Sequence, residues 1–361
     1  MRKLKTINLA VGYGREKLID EINIDINEGE ILTFIGPNGA GKTTILKSIA
    51  GQLKRMGGNV FVDDFDIQEL SGKQLATKMS FVSTDAIHSD MLTCFDIVSQ
   101  GRYPYTGRFG GLSEMDRDKV NEALKMVNAY DIKDKDYKKI SDGQKQKIKL
   151  AMAICQEPEI ILLDEPTSFL DIKHKVEILW ILKEMAERGI SVVMSLHELE
   201  LVRLVADKVV CVDDGRVIKY GVCEDVFKDD FINKLYKVEK GKFDEKLGTV
   251  FMKKNSGQPE VFVIAGNGSG AEVYQRLVKK GIPFATGILQ ENDIDAHMAK
   301  NLTDYVICAK AFDDIKDEEY EKALKIMKGC RKVIVCLKKF GKYNEKNRQL
   351  IAEAEKMGLE N

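Results

Sequence analysis

"GPNGAGKT", Gly36 to Thr43, decides the reading of this chain. It fits G-x-x-x-x-G-K-[ST], and its flanks give the context that the motif needs. Before it stands an apolar, β-rich run, "EILTFIG"; after it comes a helical pattern, "KTTILKSIAG". A glycine loop between strand and helix lets backbone N–H groups wrap a phosphate, and the helix N-terminus adds positive potential. Gly36, Pro37, Asn38, Gly39, Ala40 and Gly41 form that loop, and Thr44 completes the binding set. Lys42 is placed to reach β- and γ-phosphates, and the Thr43 hydroxyl to hold Mg²⁺.

"IILLDE", Ile160 to Glu165, supplies the second half of a site. Asp164, at the end of a buried strand, can enter the Mg²⁺ shell. Glu165 beside it can polarise an attacking water.

Further out, "ISVVMSLH" and "KVVCVDDGRV" read as two more apolar strands. Continuous apolar strands separated by helices predict a parallel sheet covered on both faces, hence an α/β fold. From about 86 to 157 the pattern is mostly helical, as in "SEMDRDKVNEALKMVNAY", and reads as a helical insert. After about Lys237 the chain turns charged and loses its apolar period. A domain boundary is expected between Asn255 and Pro259, giving a first domain over 1–255 and a small α/β domain over 259–361. "VFVIAG", "FATGIL", "YVICA" and "KVIVCL" are the strand candidates of this second, Rossmann-like domain.

Composition limits the alternatives. The chain has 361 residues, 56 Lys plus Arg, 57 Asp plus Glu and a formal net charge of -1, a balance that makes no case for nucleic acid. Its seven cysteines form no CxxC pair and read as reduced thiols. "MRKLKTINLA" does not look like a signal peptide, and no apolar run approaches the ~20 residues that cross a bilayer. Work at a membrane would then require docking onto another protein.

"GPNGAGKTT", "SDGQKQK", "ILLDEPTSFLD" and "SLHELE" occur in the order found in ATP-binding cassette ATPases, and the chain resembles that family over about residues 1–250. The resemblance implies ATP hydrolysis with Mg²⁺. "SDGQ", with Ser141, Gly143 and Gln144, looks like the family signature, which contacts the γ-phosphate of ATP held by the opposite subunit. One phosphate loop and one signature per chain then imply a homodimer with two shared sites. Tyr13 matches the aromatic residue that stacks on adenine. Ser168 and Asp171 match the loop that couples the sites, and His197 the switch histidine at the γ-phosphate. Thr84 falls where the family usually has a glutamine that bridges Mg²⁺ and the membrane subunits. Threonine is shorter, so it reaches the metal only if the loop moves in or through a water; Asp85 is the other candidate.

"DIVSQGRYPYTGRFGGLSEMDRDKVNEALKMV" resembles the helical insert of cassettes that serve iron–siderophore, haem and cobalamin uptake, through Gly101, Arg102, Pro104 and Gly107. This implies an importer subunit on the cytoplasmic face of the membrane, bound to a polytopic permease and served indirectly by an extracytoplasmic substrate-binding protein. Two readings of another kind stay open: a soluble cassette acting on ribosomes or DNA, and a pump regulated by a ligand on the second domain. In that domain, Gly266, Gly268 and Ala271 give a G-x-G-x-x-A turn, with Glu291 about twenty residues on, where a ribose-binding acid would stand. The same residues would also serve a tight turn with no ligand.

Asp142 breaks the symmetry of the signature. A carboxylate at a helix start is favourable by roughly 0.3–1 kcal/mol. Facing a γ-phosphate it would repel, at roughly 1–2 kcal/mol for each charge pair. Either Asp142 brakes ATP-driven pairing of two copies, or it points to solvent or pairs with Lys145 at no cost.

Overall fold

The computed structural model describes residues 1–87, 91–107, 111–228 and 230–359. It divides the chain into two units, Met1–Tyr236 and Lys237–Asn361.

The first unit opens with β1 (Arg2–Tyr13), β2 (Glu16–Ile22) and β3 (Asp25–Asn27). β4 (Ile31–Ile35) has every residue buried and runs into α1 (Lys42–Ile49). β5 (Gly57–Val62) and β6 (Phe65–Asp66) return to the opening strands. They complete an antiparallel sheet of order β2-β1-β5-β6, with β3 also paired to β1. α2 (Gly72–Lys78) leads to β7 (Met79–Val82). No strand follows among the described residues until β8 (Ile160–Leu163). The interval holds α3 (Cys94–Ser99), α4 (Glu114–Met126) and α5 (Asp142–Cys155). Residues 108–110, within the importer-like phrase, lie outside the described residues. Then come α6 (Ile172–Glu187), β9 (Ser191–Ser195), α7 (Leu199–Val205), β10 (Lys208–Asp213) and β11 (Arg216–Val222). α8 (Cys223–Val226) and α9 (Phe231–Leu235) close the unit.

The second sheet of this unit has the order β11-β10-β4-β9-β8-β7, all parallel except β11 against β10. The four apolar runs read from sequence are its centre. "IILL" and "SVVMS" are buried throughout because helices or the other sheet cover both faces. α1 packs between the sheets: Ile45, Leu46 and Ile49 share one buried cluster with Leu4 and Val11 of β1 and Phe34 and Leu162 of β4 and β8.

The second unit starts with a hairpin, β12 (Gly241–Asp244) and β13 (Thr249–Met252). β14 (Val261–Ile264), α10 (Ala271–Lys279), β15 (Phe284–Gln290), α11 (Ile294–Leu302) and β16 (Tyr305–Ala309) alternate after it. α12 (Asp317–Lys328), β17 (Lys332–Val335) and α13 (Glu345–Lys356) end it. Its sheet is wholly parallel, in the order β16-β15-β14-β17. Phe262 and Ile264 pack with Met327 of α12 and Leu350 of α13 on one face. Val263 packs with Tyr274 of α10 and Ala299 of α11 on the other.

The boundary expected between Asn255 and Pro259 is corrected to Tyr236/Lys237. The charged stretch is not a linker. Phe251 of its hairpin is buried in the same cluster as Tyr274 and Ala299. Asp244 accepts hydrogen bonds from Asn301 Nδ2 at 2.7 Å and Leu247 N–H at 2.8 Å, and meets His297 Nε2 at 2.9 Å. All seven cysteines are unpaired. Among the described residues no helix is long and apolar enough to cross a membrane.

Candidate functional site

β4 ends in a loop pressed against its neighbour strand. Gly36 has φ +145°, and a Cβ there would stand 1.9 Å from the Val212 carbonyl oxygen of β10. The Gly36 N–H donates to the Tyr236 hydroxyl at 3.0 Å. α1 then begins at Gly41, in left-handed conformation and with no side-chain cap. α2, α3, α4 and α5 are instead capped by Ser71, Thr93, Ser113 and Ser141. The first-turn amides of α1 are thus left to an outside acceptor. Lys42 is buried, and its Nζ donates to Gly36 O at 2.8 Å and Pro37 O at 3.0 Å. Burial lowers its pKa, partly offset by the Glu165 and Asp164 carboxylates. A cavity of about 510 Å³ opens over the loop, lined by Tyr13, Asn38, Gly39, Lys42, Glu165 and His197 among others. Thr44 Oγ1 lies 3.2 Å from the Tyr13 hydroxyl, whose ring is exposed at the rim.

The carboxylates meet this loop from β8. Asp164 is buried, and its Oδ1 accepts from the Thr43 hydroxyl at 3.0 Å and the Ser195 hydroxyl at 2.9 Å. Ser195 Oγ in turn accepts the Glu165 N–H at 2.9 Å and so fixes both acids at once. Ser195 was not among the residues singled out from sequence. A polar residue ending the apolar run "SVVMS" was the available signal. The Glu165 carboxylate is held between His197 Nε2 and the Ser168 hydroxyl, the latter at 2.8 Å. Burial pushes the Glu165 carboxyl up, but the hydrogen bonds from His197 and Ser168 outweigh it, and the net shift is below the usual glutamate value.

A general base must be ionised, so activity falls as pH drops through its pKa. Replacing His197 by alanine removes one of the contacts that hold Glu165 down. The acid limb of the kcat/KM profile for ATP should then move to higher pH. An unmoved limb would separate His197 from the ionisation of Glu165.

The ABC transporter family profile matches residues 19–168, from within β2 to Ser168. Over 288 residues the chain is 43% identical to the uncharacterized ABC transporter ATP-binding protein MJ0873 of Methanocaldococcus jannaschii, spanning 79% of this chain and 99% of that protein. The chain belongs to the ABC transporter ATPases. The petrobactin import ATP-binding protein FpuD of Bacillus anthracis is 36% identical over 239 residues, 66% of this chain and 88% of its own length. Among solved structures, cbiO1 of Clostridium perfringens, part of the ABC transporter complex cbiONQ, superposes with a TM-score of 0.56. It is 30% identical and covers 64% of this chain and 93% of its own. A profile described as the MJ0874 family matches residues 284–360, within the second unit.

The remaining cassette residues stand apart from the phosphate cavity. Ser141 caps α5, accepting the Gln144 N–H at 3.3 Å, while Gln144 Oε1 accepts the Ser141 N–H at 3.1 Å. Gly143 lies under the His174 ring, whose Cδ2 would be 2.7 Å from a Cβ there. Asp171 caps α6, accepting the His174 N–H at 2.9 Å, and meets His174 Nδ1 at 2.8 Å. His174, missed from sequence, therefore links Asp171 at the start of α6 to Gly143 at the start of α5. Asp142 is exposed and pairs with Lys145 at 3.1 Å. Thr84 does not line the phosphate cavity. It lines a neighbouring cleft of about 370 Å³ with Asp142, Lys149, Glu165 and Ser168.

Lys149, also missed, controls that cleft. It is buried on α5, and its Nζ donates to Asp85 O at 2.6 Å, Ser83 O at 3.2 Å and Thr84 O at 3.5 Å. The loop after β7 is thus held by the signature helix. Lys149→Met keeps the length but leaves these carbonyls unmatched. Stability should drop by about 1–3 kcal/mol, read by urea denaturation. An unchanged midpoint would show that water replaces the ammonium without loss.

Proposed function

We propose that this ABC ATPase is the energising subunit of an importer for an iron–siderophore, haem or corrinoid cargo. The carrying observation is the joint geometry of Lys42, Thr43, Glu165 and His197 around one cavity, with Asp164 bonded to Thr43. The likeness to FpuD favours a ferric siderophore among the cargoes. The Gly101–Arg102 phrase has a local role as well. A Cβ on Gly101 would stand 2.2 Å from Met152 O. Buried Arg102 donates to Asp116 at 2.9 Å, Cys155 O at 2.7 Å and Glu157 at 2.8 Å, locking α4 to α5.

The residues fit Mg²⁺: a hydroxyl and a carboxylate converge, an oxygen donor pair that suits a hard cation. Thr43 and Asp164 would hold the ion, which when bound neutralises charge on the β- and γ-phosphate oxygens. Lys42 exchanges its loop carbonyls for phosphate oxygens. Glu165 accepts the proton of the water attacking the γ-phosphorus, and His197 and Ser168 keep it aimed. Ser141 and Gly143 lie off their own chain's phosphate cavity, which supports their serving the site of a second copy. A homodimer on the cytoplasmic face of the membrane, docked to a polytopic permease, follows from this reading. A substrate-binding protein would act on the permease and never touch the cassette.

Thr84 gives this proposal a chemical test. In the free subunit, Thr84→Gln should lower the Mg²⁺ concentration for half-maximal ATPase activity several-fold. An unchanged titration would exclude Thr84 from the metal's surroundings. The function itself is tested by uptake in a strain lacking the gene, with a ferric siderophore, haem and cobalamin supplied separately. Loss of one uptake, restored by the wild-type gene but not by Lys42→Ala, is expected. Normal uptake of all three would overturn the importer reading.

A further inference from the structure

The glycine turn of the second unit has the backbone of a phosphate seat: Gly266 has φ +155° and Gly268 φ +76°. Its amides are already taken. Asn267 N–H donates to Asp293 Oδ2 at 2.7 Å, and Gly270 N–H to Asp295 Oδ2 at 3.0 Å. Asp295 is fully buried. Two of the chain's own carboxylates thus stand where an added phosphate would bind, so a pyrophosphate on this turn is excluded by charge and by space. Glu291, in the ribose position, is occupied by the Ala311 N–H at 3.4 Å and lines no cavity here.

What is open lies on the other lip. β15 pairs on one side of β14 and β17 on the other, so successive connections diverge there. In open parallel sheets, ligands bind at the strand carboxyl ends where the order reverses. A cavity of about 630 Å³ occupies that place, within the ~300–1,000 Å³ usual for small-molecule sites. Asn267 from the turn after β14, Gln290 at the end of β15, Asp293 beyond it, and Lys338 and Lys339 from beyond β17 line it. Both lysines are exposed, and among the described residues neither makes an ion pair.

A second cavity, of about 380 Å³, continues the first and shares Asn267, Gln290, Asp293 and Tyr343 with it. Phe312 and Tyr343 flank it, 76% and 46% exposed. Gln290 ties their two loops together, its Nε2 donating to Asp313 O at 3.2 Å and Tyr343 O at 3.1 Å. Its Oε1 is buried without a partner in the protein. Aromatic rings and ammonium groups that make no ion pair among the described residues thus share one crevice: Phe312 lines its smaller part, Lys338 and Lys339 its larger part, and Tyr343 both. The rings suit a flat π-system, and the ammonium groups a phosphate or carboxylate.

We propose that the second unit binds a planar organic anion along this crevice, its ring against Phe312 and Tyr343 and its anionic group at Lys338 and Lys339. This does not depend on the cargo of the importer. The test uses the full chain with saturating ADP, so that the cassette site is filled. The probe is flavin mononucleotide, followed by fluorescence quenching, and 1-naphthyl phosphate is the second probe. Saturable binding below about 100 µM is expected, weakened at least about tenfold by Lys338→Gln with Lys339→Gln, and likewise by Phe312→Ala. Riboflavin and inorganic phosphate, each carrying one half of the chemistry, should bind at least about tenfold more weakly. These substitutions are at exposed positions, and unchanged ATPase activity and melting would confirm that folding is intact. Three results overturn the proposal: saturable binding of neither probe up to about 1 mM, binding indifferent to both sets of substitutions, or riboflavin binding as tightly as its phosphate.

Discussion

Glu165→Gln should leave ATP binding in place and slow turnover about 10²–10⁴-fold, the usual range for loss of a general base. Glutamine is nearly isosteric. Its backbone can keep the left-handed conformation at φ +46° and the N–H bond to Ser195. Its amide can still meet His197 and Ser168. It cannot take a proton from water. ATP should therefore remain bound, and two copies should stay associated around it. Phosphate release and ATP-dependent dimerisation by size exclusion read the two halves separately. Turnover near the wild-type rate would remove Glu165 from the chemistry and leave it a structural acid.

Gly36→Ala should weaken ATP binding by at least about 100-fold, or about 2.7 kcal/mol. The added methyl would lie 1.9 Å from Val212 O, and the backbone at φ +145° is one that L-residues rarely adopt. Either the loop or β10 must shift. Gly36 also supplies a carbonyl to Lys42 and an amide to Tyr236, so a shift disturbs both contacts together. Gly39→Ala is the control. It shares a positive φ, +80°, but its Cβ would meet nothing within 4 Å. Only backbone strain remains there, roughly 1–3 kcal/mol. Fluorescent-nucleotide titration compares the two. Equal losses would mean that conformation, not crowding, sets the requirement at Gly36.

The parallel core was legible because its strands are apolar from end to end, and no helix period competes with "IILL" or "SVVMS". The antiparallel sheet was not. β1 shifts register against β2 at Leu9/Val11 and Val11/Gly12 and against β5 at Ile7/Ala10, which breaks the alternation that would reveal it. The hairpin of Gly241–Met252 hid for another reason: its buried aromatic residues, Phe243 and Phe251, fall on opposite faces, so no alternating pattern separates it from a charged linker. In the site, motif residues were readable because backbone geometry demands glycine or an acid at fixed spacing. Ser195, His174 and Lys149 were not, since each acts on a partner far away in sequence. Lys149 is typical: a lysine on an amphipathic helix reads as a solvated charge, and only the fold shows three carbonyls waiting for it. The Asp293 and Asp295 carboxylates show the converse. The glycine turn is spelled correctly, and residues about twenty-five positions later cancel its meaning.

The Tyr236 hydroxyl has a mechanical consequence. Its oxygen receives the first amide of the phosphate loop, and the next residue, Lys237, begins the other unit. A displacement of the chain at Tyr236 reaches Gly36 through this one side chain. A stop codon placed one residue earlier would cut a strut of the nucleotide pocket, and one placed just after Tyr236 would spare it. Tyr236 thus ends the first unit and props its phosphate loop at the same time.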